Sequence, residues 1–519
     1  MGIMSFKEVL DSYRKVTVGK SENLKEATIK VSAATSVLAF LYEKARIAVE
    51  FKEEHLLRKL AIERILNRRI KLGTNRTSIS TYLLKELIRA RYLPNDIVPE
   101  SKAQEIDVVL EKYFFLMDNY PTAFRIAKWD VLEWLISCVS CEIENLLSPP
   151  TARDSLARLM ANLLASEVSL SEDELFVSCQ KSLNKADKPI LRQILFIKKF
   201  PFWEGACTKE QLTEVADNLE TAIKEIEERL LNMEKGRIYK LAKSQIAPFV
   251  ILRDILDKDL SFPTTYQDEK LLEQKVRNMC SLKYAQTADR LKRVVFRSVI
   301  YIFLTKMVIG ILVELPLDRL TLGHINLRAV FINLIFPPIL MYLVGSRIKV
   351  PGQKNTGAIV KRMRNIVIDG KLALNENEKR IGLPSKFGIL QAVFRVVYFL
   401  TFILSFGLIT YGLTKVGFTF VSIAVFLFFL SVVSFFAYLV RQSTKDIVLI
   451  HDDDSFLGSV FDLFFLPVLR VGQRLSEEVA RLNLFVFFFD FIIEAPLKTL
   501  IEITEDWFAF VREKKDEVA

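Results

Sequence analysis

The stretch VGFTFVSIAVFLFFLSVVSFFAYLV, residues 416–440, decides the class of this protein, because none of its residues is charged. An α-helix needs about 20 mainly apolar residues to cross the hydrocarbon core of a bilayer. This stretch therefore predicts a transmembrane helix. The stretch just before it, ILQAVFRVVYFLTFILSFGLITYGL (389–413), predicts another, with a single arginine near its beginning.

Two weaker candidates for transmembrane helices lie upstream. FRSVIYIFLTKMVIGILVEL (296–315) is long enough to span but carries Lys306 near its middle, and AVFINLIFPPILMYLVG (329–345) is short and contains Pro337 and Pro338. Prolines are tolerated in membrane helices when neighbouring groups satisfy the freed backbone carbonyls. We therefore predict about four spans. Pro337-Pro338 is a candidate helix break lining a cavity, although a kink packed against neighbouring helices is the favoured interpretation.

Basic residues lie on one side of these predicted spans. The loop 346–388 holds ten bases against three acids, and further bases precede the first span and follow the last one. The positive-inside rule then places both termini in the cytoplasm, in a plasma or inner membrane. Anionic lipid headgroups are the expected partners of the juxtamembrane bases. The candidate headgroup ligands are Arg290, Lys292, Arg293, Lys361, Arg362 and Arg364.

The region before residue 291 has the chemistry of a soluble domain. The whole chain of 519 residues is 51% hydrophobic and 26% charged, yet residues 1–290 contain no apolar run long enough to span. Their apolar residues recur at helical spacing, and Ser171-x-x-Glu174 and Thr208-x-x-Gln211 have the form of capping boxes. The sequence predicts an all-α protein, with a soluble helical bundle or solenoid at residues 1–290 and a transmembrane domain at 291–440.

The tail, residues 441–519, contains two shorter apolar stretches, at 456–471 and 484–497. If both spanned the membrane, the arginines between them would face outward, against the charge rule. Amphipathic helices that lie on the cytoplasmic face or re-enter the bilayer are therefore the favoured prediction, and six spans are the alternative.

Lys306 is the sharpest candidate site, because a charge near the middle of a span costs about 2.5–3.5 kcal/mol on insertion scales. The other three predicted spans contain no acid, so we look for a partner in the tail: Asp490 with Glu494, four residues apart, or Asp462. A proton or ion relay, or a contact to an anionic substrate, is one interpretation. A snorkelling lysine or a structural ion pair is the favoured one.

Other chemistry finds little support in the sequence. The five cysteines are scattered, as in proteins of reducing compartments, and Cys138-x-x-Cys141 lies within a helical pattern that favours core packing over zinc. Walker, GxSxG and HExxH motifs are missing from the sequence. We expect no enzyme activity, no cofactor and no metal. Much of the net charge of +10 comes from bases around the predicted spans, where they indicate the orientation of the protein in the membrane. Nucleic acid is therefore not an expected partner either.

Two function classes remain. The first, favoured because the helical domain fills more than half of the chain, is a membrane-anchored interaction or scaffold protein that binds a protein partner. The second is a transporter or channel for a small solute or ion, built around Lys306 and acidic tail residues. The sequence leaves open whether copies of the chain associate.

Overall fold

The computed structural model describes most of the chain outside the C-terminal tail. The described residues are 5–18, 27–50, 56–71, 73, 76–119, 125–126, 129–168, 170–259, 262, 266–322, 327–348, 350–376, 378–379, 388–450, 456–481, 503, 507 and 510. Internal contacts divide the chain into two compact units, Met1–Lys243 with Leu484–Ala519, and Ser244–Asn483. The division lies before the sequence boundary at 290, because helices just upstream of the first apolar segment pack within the second unit.

The first unit is built from α-helices. In chain order these are α1 Phe6–Val18, α2 Ala33–Glu50, α3 Leu57–Lys71, α4 Ile79–Arg89, α5 Ser101–Asn119, α6 Val131–Leu147, α7 Thr151–Glu167, α8 Glu172–Leu183, α9 Lys188–Lys199, α10 Lys209–Lys235 and α11 Arg237–Ser244. Short 3₁₀ turns cover Arg76–Ser78 and Pro201–Glu204. A pair of two-residue antiparallel strands, β1 Arg125–Ile126 and β2 Trp129–Asp130, precedes α6. The predicted all-α class is confirmed.

Helix α6 forms the centre of this unit, since α3, α5 and α9 all pack against it. Its buried residues include Trp134, and the rings of Trp134 and Phe196 meet edge-on at 5.7 Å. Phe196 in turn contacts Trp203 at 5.2 Å. Edge-to-face pairs of this kind add to the free energy gained by burying the rings.

The two predicted capping boxes have different outcomes. Thr208 begins α10 as a complete box, in which its hydroxyl accepts from the Gln211 amide and the Gln211 side chain accepts from the Thr208 amide. Ser171 is the N-cap residue of α8, but its side chain makes no capping hydrogen bond. The sequence thus located both helix beginnings, but the side-chain bonding that it predicted is confirmed at Thr208 and wrong at Ser171.

The second unit contains the apolar helices. In chain order its helices are α12 Ile246–Lys258, α13 Glu269–Ile309, a π-helical turn Gly310–Glu314, α14 Leu315–Leu322, α15 Leu327–Ser346, α16 Gln353–Val367, α17 Gly388–Lys415, α18 Phe420–Ser443, a 3₁₀ turn Lys445–Ile447 and α19 Phe456–Arg481.

Four helical segments of this unit are long and apolar enough to cross a membrane, as the sequence predicted. They are Glu269–Leu317, Leu327–Ser346, Arg395–Lys415 and Phe420–Ile447. The first of them begins well before the apolar stretch, because α13 continues without interruption from a charged amphipathic segment into the span. These four helices are consistent with a membrane protein.

Helix α15 contains both prolines of the second apolar segment. Pro337 and Pro338 are buried, and the helix is assigned continuously on both sides of them. Near its end, Gly345 lies so close to α13 that an added Cβ would come within 2.7 Å of a Val295 methyl group. The proline pair therefore lies within one continuous helix that packs against its neighbours.

Candidate functional site

Lys306 lies inside the packed apolar helices. It belongs to α13, and its side chain is only 1% exposed. The Lys306 Nζ atom forms an ion pair with Glu314 Oε1, and Glu314 is equally buried. The acid that compensates this charge therefore comes from the same apolar segment as the lysine.

The π-helical turn Gly310–Glu314 explains how these two residues meet. Two turns of a regular α-helix take about 7.2 residues, so a residue eight positions on would be rotated away from the face of Lys306. A π turn closes its hydrogen bond one residue later and so takes up about one extra residue. Eight residues then complete about two turns, and Glu314 returns to the face of Lys306.

Two further helices contribute to the same site. Asn333 of α15 donates a hydrogen bond from Nδ2 to Glu314 Oε2 at 2.6 Å. Phe429 of α18 places its ring centroid 4.7 Å from Lys306 Nζ, within the range of a cation–π contact. We refer to Lys306, Glu314, Asn333 and Phe429 as the Lys306 cluster. It joins three of the four apolar helices at one point.

In the Lys306 cluster, the positive charge of Lys306 is neutralised by the carboxylate of Glu314. Each charged group faces its counter-charge, and both carboxylate oxygens accept a hydrogen bond. In the described part of the chain, one polar atom of the cluster, Asn333 Oδ1, is buried without a hydrogen-bond partner. A buried pair of this kind is costly to break, because removing one member leaves the other charged and unpaired.

The partners expected for Lys306 were the tail acids. Asp490 and Glu494 lie outside the described residues, and the side chain of Asp462, on α19, is also not described. Sequence reasoning missed Glu314, which lies next to the last residue of the quoted stretch 296–315. Its signal was present as the one acid in that stretch. However, a helical wheel drawn at 3.6 residues per turn places Glu314 on a different face from Lys306, so it does not reveal the pairing.

The candidate headgroup ligands divide into exposed and buried residues. Arg290, Lys292 and Arg293 on α13 are exposed, as is Lys361 on α16. Arg364 is exposed and forms an ion pair with Glu269 at 2.5 Å.

Arg362 differs from the other candidates because it is buried. It is only 8% exposed and donates to the Leu372 carbonyl oxygen at 2.8 Å and to Glu378 at 3.0 Å. Burial alone raises the pKa of Glu378, but hydrogen bonds from the Asn375 amide, Gln245 and Arg362 outweigh it, so the pKa lies below its usual range. The Arg362 guanidinium is therefore engaged by acceptors within the protein.

Buried charges in the first unit also connect helices. Glu227 of α10 is fully buried and contacts Arg192 Nε at 2.5 Å and Lys188 Nζ at 2.6 Å, both from α9. Trp134 Nε1 donates to the same carboxylate at 3.1 Å. Burial raises the pKa of Glu227, but the hydrogen bonds from Lys188 and Arg192 outweigh it and hold the pKa below its ordinary value.

The cysteine pair lies in the core of the first unit. Cys138 and Cys141 are on α6, and both are fully buried free thiols. Burial raises the pKa of both thiols well above the ordinary value. A buried thiol with a raised pKa is a poor nucleophile, so these residues act as small apolar side chains.

Comparisons of this chain with protein-family models, with curated proteins and with solved structures found no match.

Proposed function

We propose that this chain is a multi-pass membrane protein whose helical first unit binds a protein partner, while the apolar helices hold it at the bilayer. In this proposal both termini are cytoplasmic, in a plasma or inner membrane, because the basic loop and flanking bases lie on one side of the spans. Anionic lipids contact the exposed bases of α13 and α16. The proposal includes neither an enzyme activity nor nucleic-acid binding.

The observation that carries the proposal is the compensation of Lys306 by Glu314 and Asn333. Intramembrane charges in transporters and pumps mark pathways for ions, protons or substrates. Here each charge is satisfied within the chain and is shielded by three packed helices. Such a site is best suited to hold the helices in a fixed register. This favours a membrane anchor over a transporter whose helices must move.

The construction of the first unit supports the same proposal. The buried acid Glu227 and the half-buried acid Glu142 are occupied by bases and aromatic N–H groups from other helices. Glu142, for example, faces Lys112 at 2.5 Å and accepts from Trp203 Nε1 at 3.1 Å. Side chains engaged in this way stiffen a helical body and leave its outer surface for recognition.

A charge-neutral double variant, Lys306→Met with Glu314→Gln, tests the proposal in the full-length chain. Both variant and wild type are crosslinked in their native membrane, and the attached proteins are identified by mass spectrometry. We expect the same partners for both. A chain that lacks residues 1–243 should insert normally, as judged by protease protection, but should lose these partners.

The second candidate, a transporter, rests on the unpartnered Asn333 Oδ1 atom, which could accept a hydrogen bond from a passing ligand. It differs from the anchor proposal in the flux that it predicts. The double variant would then abolish ion or solute flux in vesicles while insertion and partners remained unchanged. That outcome, or partners retained by the chain lacking residues 1–243, would refute the anchor proposal.

A further inference from the structure

Helix α19, Phe456–Arg481, packs among the membrane helices. It lies against both α17 and α18, and each of these contacts α19 more extensively than it contacts the other. Two of the four long apolar helices are therefore joined mainly through the tail helix.

The contact with α17 lies at the middle of its span. The Ser405 hydroxyl donates to the Phe464 carbonyl oxygen at 2.8 Å. Ser405 is ten residues from each end of Arg395–Lys415, or about 15 Å at 1.5 Å per residue. The hydrocarbon core is about 30 Å thick, so this bond lies at the depth of the bilayer centre.

The contact with α18 lies near the middle of that helix. Gly472 faces the backbone of Ser431, which is about 16 Å from Phe420, the first residue of α18. A Cβ at position 472 would overlap the Ser431 carbonyl oxygen and lie 2.7 Å from Phe435 Cβ. Small residues at such points let membrane helices approach closely.

The direction of α19 follows from a further contact. Arg470 stacks on the ring of Tyr398 at 4.7 Å, so moving from Phe464 to Arg470 on α19 corresponds to moving from Ser405 back to Tyr398 on α17. The two helices are antiparallel there.

We propose that α19 is a fifth intramembrane helix, inserted between α17 and α18. A helix lying on the membrane surface would touch only the ends of the spans, whereas α19 contacts the middle of both. Val468, only 2% exposed, belongs to the same buried apolar cluster as Phe426 and Leu430.

Photo-crosslinking of the full-length protein in its membrane tests this placement directly. Benzoylphenylalanine replaces Phe464, and, as a lipid-facing control, Phe399, which is 63% exposed. After irradiation, we expect adducts from position 464 to residues of 395–415 or 420–443, and adducts from position 399 mainly to lipid. Adducts from position 464 only to other parts of the chain, to a second copy or to lipid would overturn the proposal.

A glycine pair supplies the matched variants. Gly472→Leu should reduce the crosslink from position 464 at least about tenfold, and the milder Gly472→Ala should also weaken it, because neither side chain fits against Ser431. Gly407→Leu is the control, since nothing lies within 4 Å of a Cβ at that position. Unchanged crosslinking in both Gly472 variants would show that α19 does not pack closely against α18.

Discussion

Replacing Glu314 with glutamine leaves Lys306 charged, buried and without its counter-charge. Breaking a buried ion pair on one side costs about 3–5 kcal/mol. The cost should be near the full value here, because the Lys306 side chain is only 1% exposed and water cannot easily replace the lost partner. At about 1.4 kcal/mol per factor of ten, the equilibrium between folded and unfolded membrane helices should shift by at least about a hundredfold.

Two further variants complete a double-mutant cycle. Lys306→Met leaves Glu314 buried and unpaired and should be similarly destabilising. The double variant buries no charge at position 306 or 314, and the new glutamine can still accept from Asn333, so we expect it within about 1.5 kcal/mol of the wild type. The interaction energy between the two positions should then be at least about 2 kcal/mol.

Titration of the purified protein in mild detergent with a denaturing detergent, followed by helix content, measures all four proteins. Additive effects of the two single variants, or single variants within about 1 kcal/mol of the wild type, would refute the role of the pair in holding the membrane helices together. Insertion is checked separately by protease protection.

Three further predictions concern the first unit and are measured by hydrogen exchange or thiol labelling. Thr208→Ala should cost about 1 kcal/mol of protection at the beginning of α10, whereas Ser171→Ala, a matched N-cap without a side-chain bond, should cost clearly less; equal losses would contradict the assignment. The lowered pKa of Glu227 stabilises the folded state above about pH 4.3, its unfolded pKa, and this stabilisation should disappear as the pH falls through the folded pKa; Glu227→Gln should lower protection at neutral pH and flatten that dependence. Cys138 and Cys141 should resist maleimide at pH 8 until the unit unfolds, and rapid labelling of the native protein would show that they are accessible.

The helical class and the four apolar spans were readable from the sequence because both depend on local properties. Span length, charge content and the spacing of apolar residues are sufficient to predict segments such as 416–440. The capping box at Thr208 is local in the same way, since its two partners are three residues apart.

The partner of Lys306 could not be predicted in this way. The pairing with Glu314 depends on a π turn, a change of helical period that composition does not signal. The burial of Arg362 depends on how the loop folds back, since its acceptors at Leu372 and Glu378 lie 10 and 16 residues away. Both cases are three-dimensional contacts between residues that each look ordinary in the sequence.

The length of α13 has a mechanical consequence. The helix runs for 41 residues, or about 61 Å, from the charged segment around Glu269 to the Lys306 cluster. Lys306 and the charged segment around Glu269 therefore belong to one uninterrupted helix. A rotation of this helix about its axis would move Lys306 relative to the turn Gly310–Glu314, whose geometry sets the alignment of the ion pair.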